Sequence, residues 1–210
     1  MLFSDKDIIK TDSIMIQGVD LQDMQIHIMQ IILGKINIVS LSERNFKQLC
    51  SVILGHSGGA NKITIKDIDL NKNRKLLNED SIYIDQDFKF LFENLTINEN
   101  LRFFSKMHYG VDLSSATISY FKKEKISNEV IKYIPDNKIN FIKLFILLAI
   151  PNVLWFINDF KKEILRDEIT NLLSNRIQQN GTILINIPDV DILQEFLLKL
   201  NTGSYKIITN

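Results

Sequence analysis

The feature that most limits the fold is the apolar stretch from Phe141 to Ile157, densest over Leu144–Ile150. Lys143 precedes the dense part, and Pro151-Asn152 interrupts the stretch just after it. A membrane-spanning helix wants roughly 20 unbroken apolar residues. The stretch therefore reads as a buried helix over 138–150 followed by a buried strand over 153–157. Both need covering on all sides, which calls for a layered α/β core.

The remaining pattern supplies the layers. Ile36–Leu41 is a continuous β-type run suited to a strand buried on both faces. Further strands are expected at 13–17, 24–30, 62–66, 81–84, 182–187 and 205–209. In the second of these, Met24, Ile26 and Ile28 alternate with Gln25, His27 and Met29. Ser42 caps a helix through Leu54 that Gly55 ends. Thr96 with Glu99 forms a capping-box pattern that opens a helix to about Met107. Other helices fit 113–123, 127–133, 163–179 and 190–200, while 56–61 and 71–80 read as loops. Strands alternating with helices imply a parallel sheet, interrupted by a helical block in the middle.

Composition excludes several functions. The 210 residues carry 25 Lys+Arg and 25 Asp+Glu, so there is no basic excess for nucleic acid. The single cysteine, Cys50, rules out a disulfide framework and a cysteine zinc site, and reads as a small buried hydrophobe in a reducing compartment. His27, His56 and His108 have no ligand spacing, and Asp159, Asp167 and Glu168 read as solvated or dipole-stabilised acids, so no metal is expected. Met1–Ser13 has no apolar run of signal-peptide type.

Three segments together resemble the ATP-binding subunit of ABC transporters. Ile82–Phe88, with Gln86, is similar to that family's Q-loop. Leu95–Phe104 is similar to its "L-T-V-x-E-N-L-x-F" helix start, and Gly181–Asp189 to its "G-T-x-x-L-x-T-H-D" segment. Leu154-Trp155 and the short chain resemble most the ATP-binding subunit of the haem exporter for cytochrome c maturation. The resemblance implies an α/β P-loop NTPase core with N-terminal antiparallel strands and an inserted helical subdomain. The core would cover about 1–87 and 151–210, and the insertion about 88–150. It also implies a subunit held on the cytoplasmic face of the membrane by membrane subunits, and pairing with itself or with another ATP-binding subunit.

The catalytic motifs of that family are altered. A P-loop needs glycines for close approach of backbone amides to phosphate, and a lysine to reach the β/γ oxygens. Counted back from Gly55, that loop would be Ser40–Gln48, and none of the eight glycines lies in it. Phe46 takes the lysine position, with Lys47 and Gln48 in place of the hydroxyl residues. The remnant nucleotide site would comprise Ser42, Asn45, Phe46, Lys47, Gln48, Gln86 and Asn158. Asn158 stands for the magnesium-associated aspartate, Asp159 for the catalytic glutamate and Pro188 for the switch histidine. The signature segment would be Ile134–Lys138, without glycine. Losing one preorganised donor can cost about 10²–10³ in rate, so little or no hydrolysis and weak Mg-ATP binding at best are expected. Gln86, Phe88 and Phe90 are the expected contacts to a membrane partner, since aromatic anchors suit a docking groove. Two alternatives stay open: an ATPase with a rebuilt site using Lys47, Asp159 and Gln86, and an unrelated soluble α/β interaction protein.

Overall fold

The structure, a computed structural model, describes residues 13–56, 60–65, 68–69, 81–85, 90–107, 115–150, 154–158, 160, 162–201 and 203–208. The chain divides into two compact units, one within Met1–Asp85 and Asn152–Asn210, the other within Gln86–Pro151.

The first unit carries two sheets. In one, β1 (Ser13–Asp20) pairs antiparallel with β2 (Gln25–Ile32) and with β4 (Ala60–Ile65), which pairs with β5 (Ile68–Asp69). The other is parallel, in the order β6 (Ser81–Ile84), β7 (Leu154–Ile157), β8 (Thr182–Asn186), β3 (Ile36–Val39), β9 (Tyr205–Ile207). Helix α1 (Glu43–Leu54) buries Phe46, Leu49, Cys50, Val52 and Ile53 in one cluster with residues of both sheets. Local chemistry sets its ends: the Ser42 hydroxyl accepts the Asn45 N–H, and Gly55 turns left-handed at φ 79°.

The alternation expected in β2 is overturned. Ile26, Met29 and Ile31 face inward, while Ile28 is 64% exposed. The cause lies on the paired strand. Gly18, at φ 62°, switches the inward set of β1 from Ile14 and Ile16 to Val19, and the register carries the switch to β2.

In β7 and β8 every residue is buried, as expected of inner strands of a parallel sheet. Trp155 packs against Gly181, where an added Cβ would lie 2.6 Å from its ring and 2.8 Å from the Arg176 carbonyl oxygen. The glycine of the "G-T" pair is thus fixed by packing. The helix expected over 163–179 is a short 3-10 turn, Glu163–Leu165, followed by a helix at Asp167–Gln178.

In the second unit, α2 (Ile97–Met107) opens with the capping box in full. Thr96 Oγ1 accepts the Glu99 N–H at 3.2 Å, and the Glu99 carboxylate accepts the Thr96 N–H and hydroxyl, both at 2.8 Å. Those two bonds hold the Glu99 carboxyl below its usual range. Asn100 is fully buried: its side-chain carbonyl accepts the Phe92 N–H at 2.8 Å, and its amide donates to the Phe92 and Thr96 carbonyls. The pair Glu99-Asn100 therefore builds the entry to this helix. Beyond it lie α3 (Ser115–Lys123) and α4 (Asp136–Ala149). The helix expected over 127–133 does not form. Its backbone is bonded to the entry segment through Asn98 N–H to Ser127, Ile97 N–H to Glu129 and Ile131 N–H to Leu95, which leaves only a 3-10 turn at Ile131–Tyr133. Loop residues 71–80 and His108 lie outside the described residues.

Candidate functional site

In an open parallel α/β sheet, ligands bind beyond the carboxyl ends of the strands. Here those ends, across β6, β7, β8 and β3, are joined by a chain of uncharged hydrogen bonds. The Asn158 amide donates to the Tyr83 hydroxyl at 3.3 Å, and its carbonyl accepts from the Asn186 amide at 3.0 Å. Asn186 then takes both backbone groups of Leu41, accepting its N–H at 2.9 Å and donating to its C=O at 3.1 Å. Asn158 is fully buried and Asn186 is 4% exposed. Burial, with Asn158 opposing it and Asp85 adding to it, pushes the Tyr83 phenol well above its ordinary range, so it stays protonated.

Leu41 belongs to the connection from β3 to α1, and that connection differs from the expected one. Only Ser40, Leu41 and Ser42 separate the strand from the helix. Glu43–Gln48, expected as the second part of a loop, form the first half of α1 instead. Ser42 supplies the physical reason, because its side-chain cap starts the helix early. Within that helix, the 3.6-residue turn sends neighbouring side chains about 100° apart. Phe46 points into the core, fully buried. Lys47 points out, with 63% of its side chain exposed and its ammonium 3.9 Å from the buried Asp85 carboxylate. Gln48 holds the β1–β2 turn, accepting the Gln22 N–H at 3.1 Å and donating to the Asp20 carbonyl at 3.2 Å. Asn45 is 4% exposed, and its side-chain oxygen, Oδ1, has no hydrogen-bond partner among the described residues.

Pro188 lies exposed just past β8 (Thr182–Asn186). The next residue, Asp189, caps helix α6 (Val190–Lys199), counting the helix at 167–178 as α5, by accepting the Asp191 and Ile192 N–H groups. Gln86, Phe88 and Asp159 lie outside the described residues. In the second unit, Ile134 is buried and Pro135 precedes α4 without a side-chain cap. The aromatic exposure there differs from the expected one. Phe90 is half-buried, whereas Phe92 and Phe103 are 45% and 39% exposed and meet edge to face with centroids 4.6 Å apart. Among the described residues, no group of three or more His, Cys, Asp or Glu could hold a metal ion, and no helix is long and apolar enough to cross a membrane.

Sequence reasoning placed Asn158 at this site and missed Asn186. The signal was present as one carboxamide at the end of each of two neighbouring apolar strands, Leu154–Asn158 and Thr182–Asn186. Polar groups at one level of a buried sheet must satisfy each other.

No protein-family model matches the chain, and no curated protein matches it. Solved structures do. The chain aligns with an ATP-binding subunit of an ABC transporter at TM-score 0.62 and 14% identity, over 89% of this chain and 82% of that one. It aligns with cbiO1 of Clostridium perfringens, part of the ABC transporter complex cbiONQ, at TM-score 0.65 and 13% identity, over 93% and 84%. A nucleotide-free ATP-binding cassette from an ABC transporter gives TM-score 0.61 and 11% identity, over 89% and 85%. The fold is that of the ABC-type P-loop NTPases.

Proposed function

We propose that this chain is a non-hydrolysing ATP-binding-cassette subunit, retained as a folded partner of a membrane complex. One observation carries the reading: a neutral, buried amide chain ties the β3–α1 connection shut at the strand ends where a triphosphate would lie. A magnesium-bound triphosphate needs backbone amides free to turn toward it, a cation at the β/γ oxygens and a carboxylate behind the metal. The residues present do not fit that ligand. The Leu41 N–H is spent on Asn186, Phe46 is buried and Asn158 is uncharged. Phosphoryl transfer rests almost wholly on such positioning and charge, so no catalytic step is assigned to this chain.

The role left to the fold is docking. Of the solved structures that share the fold, one is described as an ATP-binding subunit of an ABC transporter and another as part of an ABC transporter complex. By the resemblance of Leu154-Trp155, the complex proposed is of the haem-exporter type for cytochrome c maturation, on the cytoplasmic face of the membrane. Gln86, Phe88 and Phe90 are the proposed contacts to its membrane subunits, and a second ATP-binding subunit is the proposed neighbour. Phe92 and Phe103 extend this set, since exposed aromatic pairs make effective interface anchors.

The expected result of capturing the tagged chain from membranes solubilised in mild detergent is retention of an integral membrane protein that binds haem. Phe92→Ala with Phe103→Ala should weaken that retention at least tenfold. Each residue is more than half buried, so the pair should also cost about 2–3 kcal/mol of stability, and retention is compared on protein shown by its urea midpoint to be folded. Capture of the intact chain without any membrane protein would overturn the docking role.

A further inference from the structure

Along the outer face of α1 two cavities adjoin. The larger, about 610 Å³, is lined by Gln22, Arg44, Lys47, Gln48 and Ser51. The smaller, about 240 Å³, shares Lys47 and Ser51 and adds Cys50, Leu54, His56 and Tyr83. Arg44, Lys47 and Ser51 fall at helical spacing on one side of α1. Their chemistry divides cleanly. The larger cavity presents two cations and no acid, and no described residue pairs with Arg44. Among the described residues Lys47 has a single partner, Asp85, at 3.9 Å, and most of its side chain is open to solvent. The floor of the smaller cavity is uncharged: Cys50 is 1% exposed and burial pushes its thiol up, Leu54 is 8% exposed, and Tyr83 stays protonated.

We propose that this double cleft binds a small amphiphilic anion, its carboxylate between Arg44 and Lys47 and its apolar tail in the smaller cavity against Cys50, Leu54 and Tyr83. A pocket that buries an apolar body and fixes orientation with a few polar groups is the common design of small-molecule sites. An exposed guanidinium is well shaped to grip a carboxylate through two hydrogen bonds. The apolar tail gives affinity, and the cations decide which head group is accepted. The proposal goes beyond the docking role and does not depend on it.

Octanoate is the probe, titrated into the full chain with the Lys47, Ser51 and His56 amides followed by NMR. Saturable shifts confined to these residues are expected, with octanoate at least tenfold tighter than octanol and inorganic phosphate alone silent. Arg44→Glu should weaken octanoate about tenfold. Ser51→Trp should abolish binding by filling the shared wall. Unchanged urea midpoints establish that both variants fold, and Arg44→Glu alone decides the matter if Ser51→Trp does not. The proposal is overturned if octanol or phosphate binds as tightly as octanoate, if Arg44→Glu leaves the affinity unchanged, or if the shifts fall elsewhere.

Discussion

Phe46→Lys is expected to lose about 4 kcal/mol or more of stability in urea denaturation, and not to gain Mg-ATP binding. Truncating a buried phenylalanine alone costs about 3–5 kcal/mol. Lysine here adds an ammonium at a position with no solvent exposure, inside a cluster with Val39, Leu49, Ile53 and Phe156. A buried, unpaired charge is destabilising or forces its own neutralisation. Phe46→Leu, which keeps the site apolar, should cost much less. The contrast matters because residue 46 is the position that the resemblance, counted back from Gly55, gives to a phosphate-reaching lysine. If the lysine variant kept wild-type stability and bound Mg-ATP, the side chain at 46 would have to leave the core for a phosphate site.

Asn186→Ala is expected to lose about 3 kcal/mol or more. The single side chain serves the Leu41 N–H, the Leu41 C=O and the Asn158 carbonyl, all away from water. Each buried group left unpaired costs roughly 1–3 kcal/mol. Asn186→Asp adds a pH signature. It sets a carboxylate against two carbonyl oxygens, and burial raises its folded-state pKa. A raised folded-state pKa means the folded form holds the proton more tightly, so its stability should fall as pH rises above about 4. Wild-type protein should show no such step from this site, since all members of the chain are neutral. Equal stability of Asn186→Ala and wild type would mean the amide chain does not secure the β3–α1 connection.

Much of the fold was legible because local chemistry and tertiary structure agree. Ser42 and Gly55 bound α1, the Thr96–Glu99 box opens α2, and the apolar run divides into a helix ending at Ala149 and a strand starting at Leu154. The failures came where a distant partner or a single residue overrides pattern. The segment 127–133 has helical composition, but its backbone finds the 93–98 segment. The inward face of β2 is set by Gly18 on its neighbour. The loop expected through Gln48 conflicts with the cap expected at Ser42, and the cap prevails. Asn186 was missed because the paired carboxamides at the ends of two apolar strands become a signal only once those strands are known to be neighbours. The aromatic segment gave the right residue type but not the exposed members, since Phe92 and Phe103 are singled out only by how α2 and its entry pack.

The most direct measurement is a calorimetric titration of the purified chain with Mg-ATP, paired with a thermal-shift series at millimolar nucleotide. A ligand that binds only the native state must raise its apparent stability, by about 2.7 kcal/mol at a hundred times its Kd. The expected result is no saturable heat and no shift. Micromolar binding that Lys47→Ala abolishes, with steady ATP turnover that Asp159→Ala removes, would contradict it and establish a rebuilt catalytic site in its place.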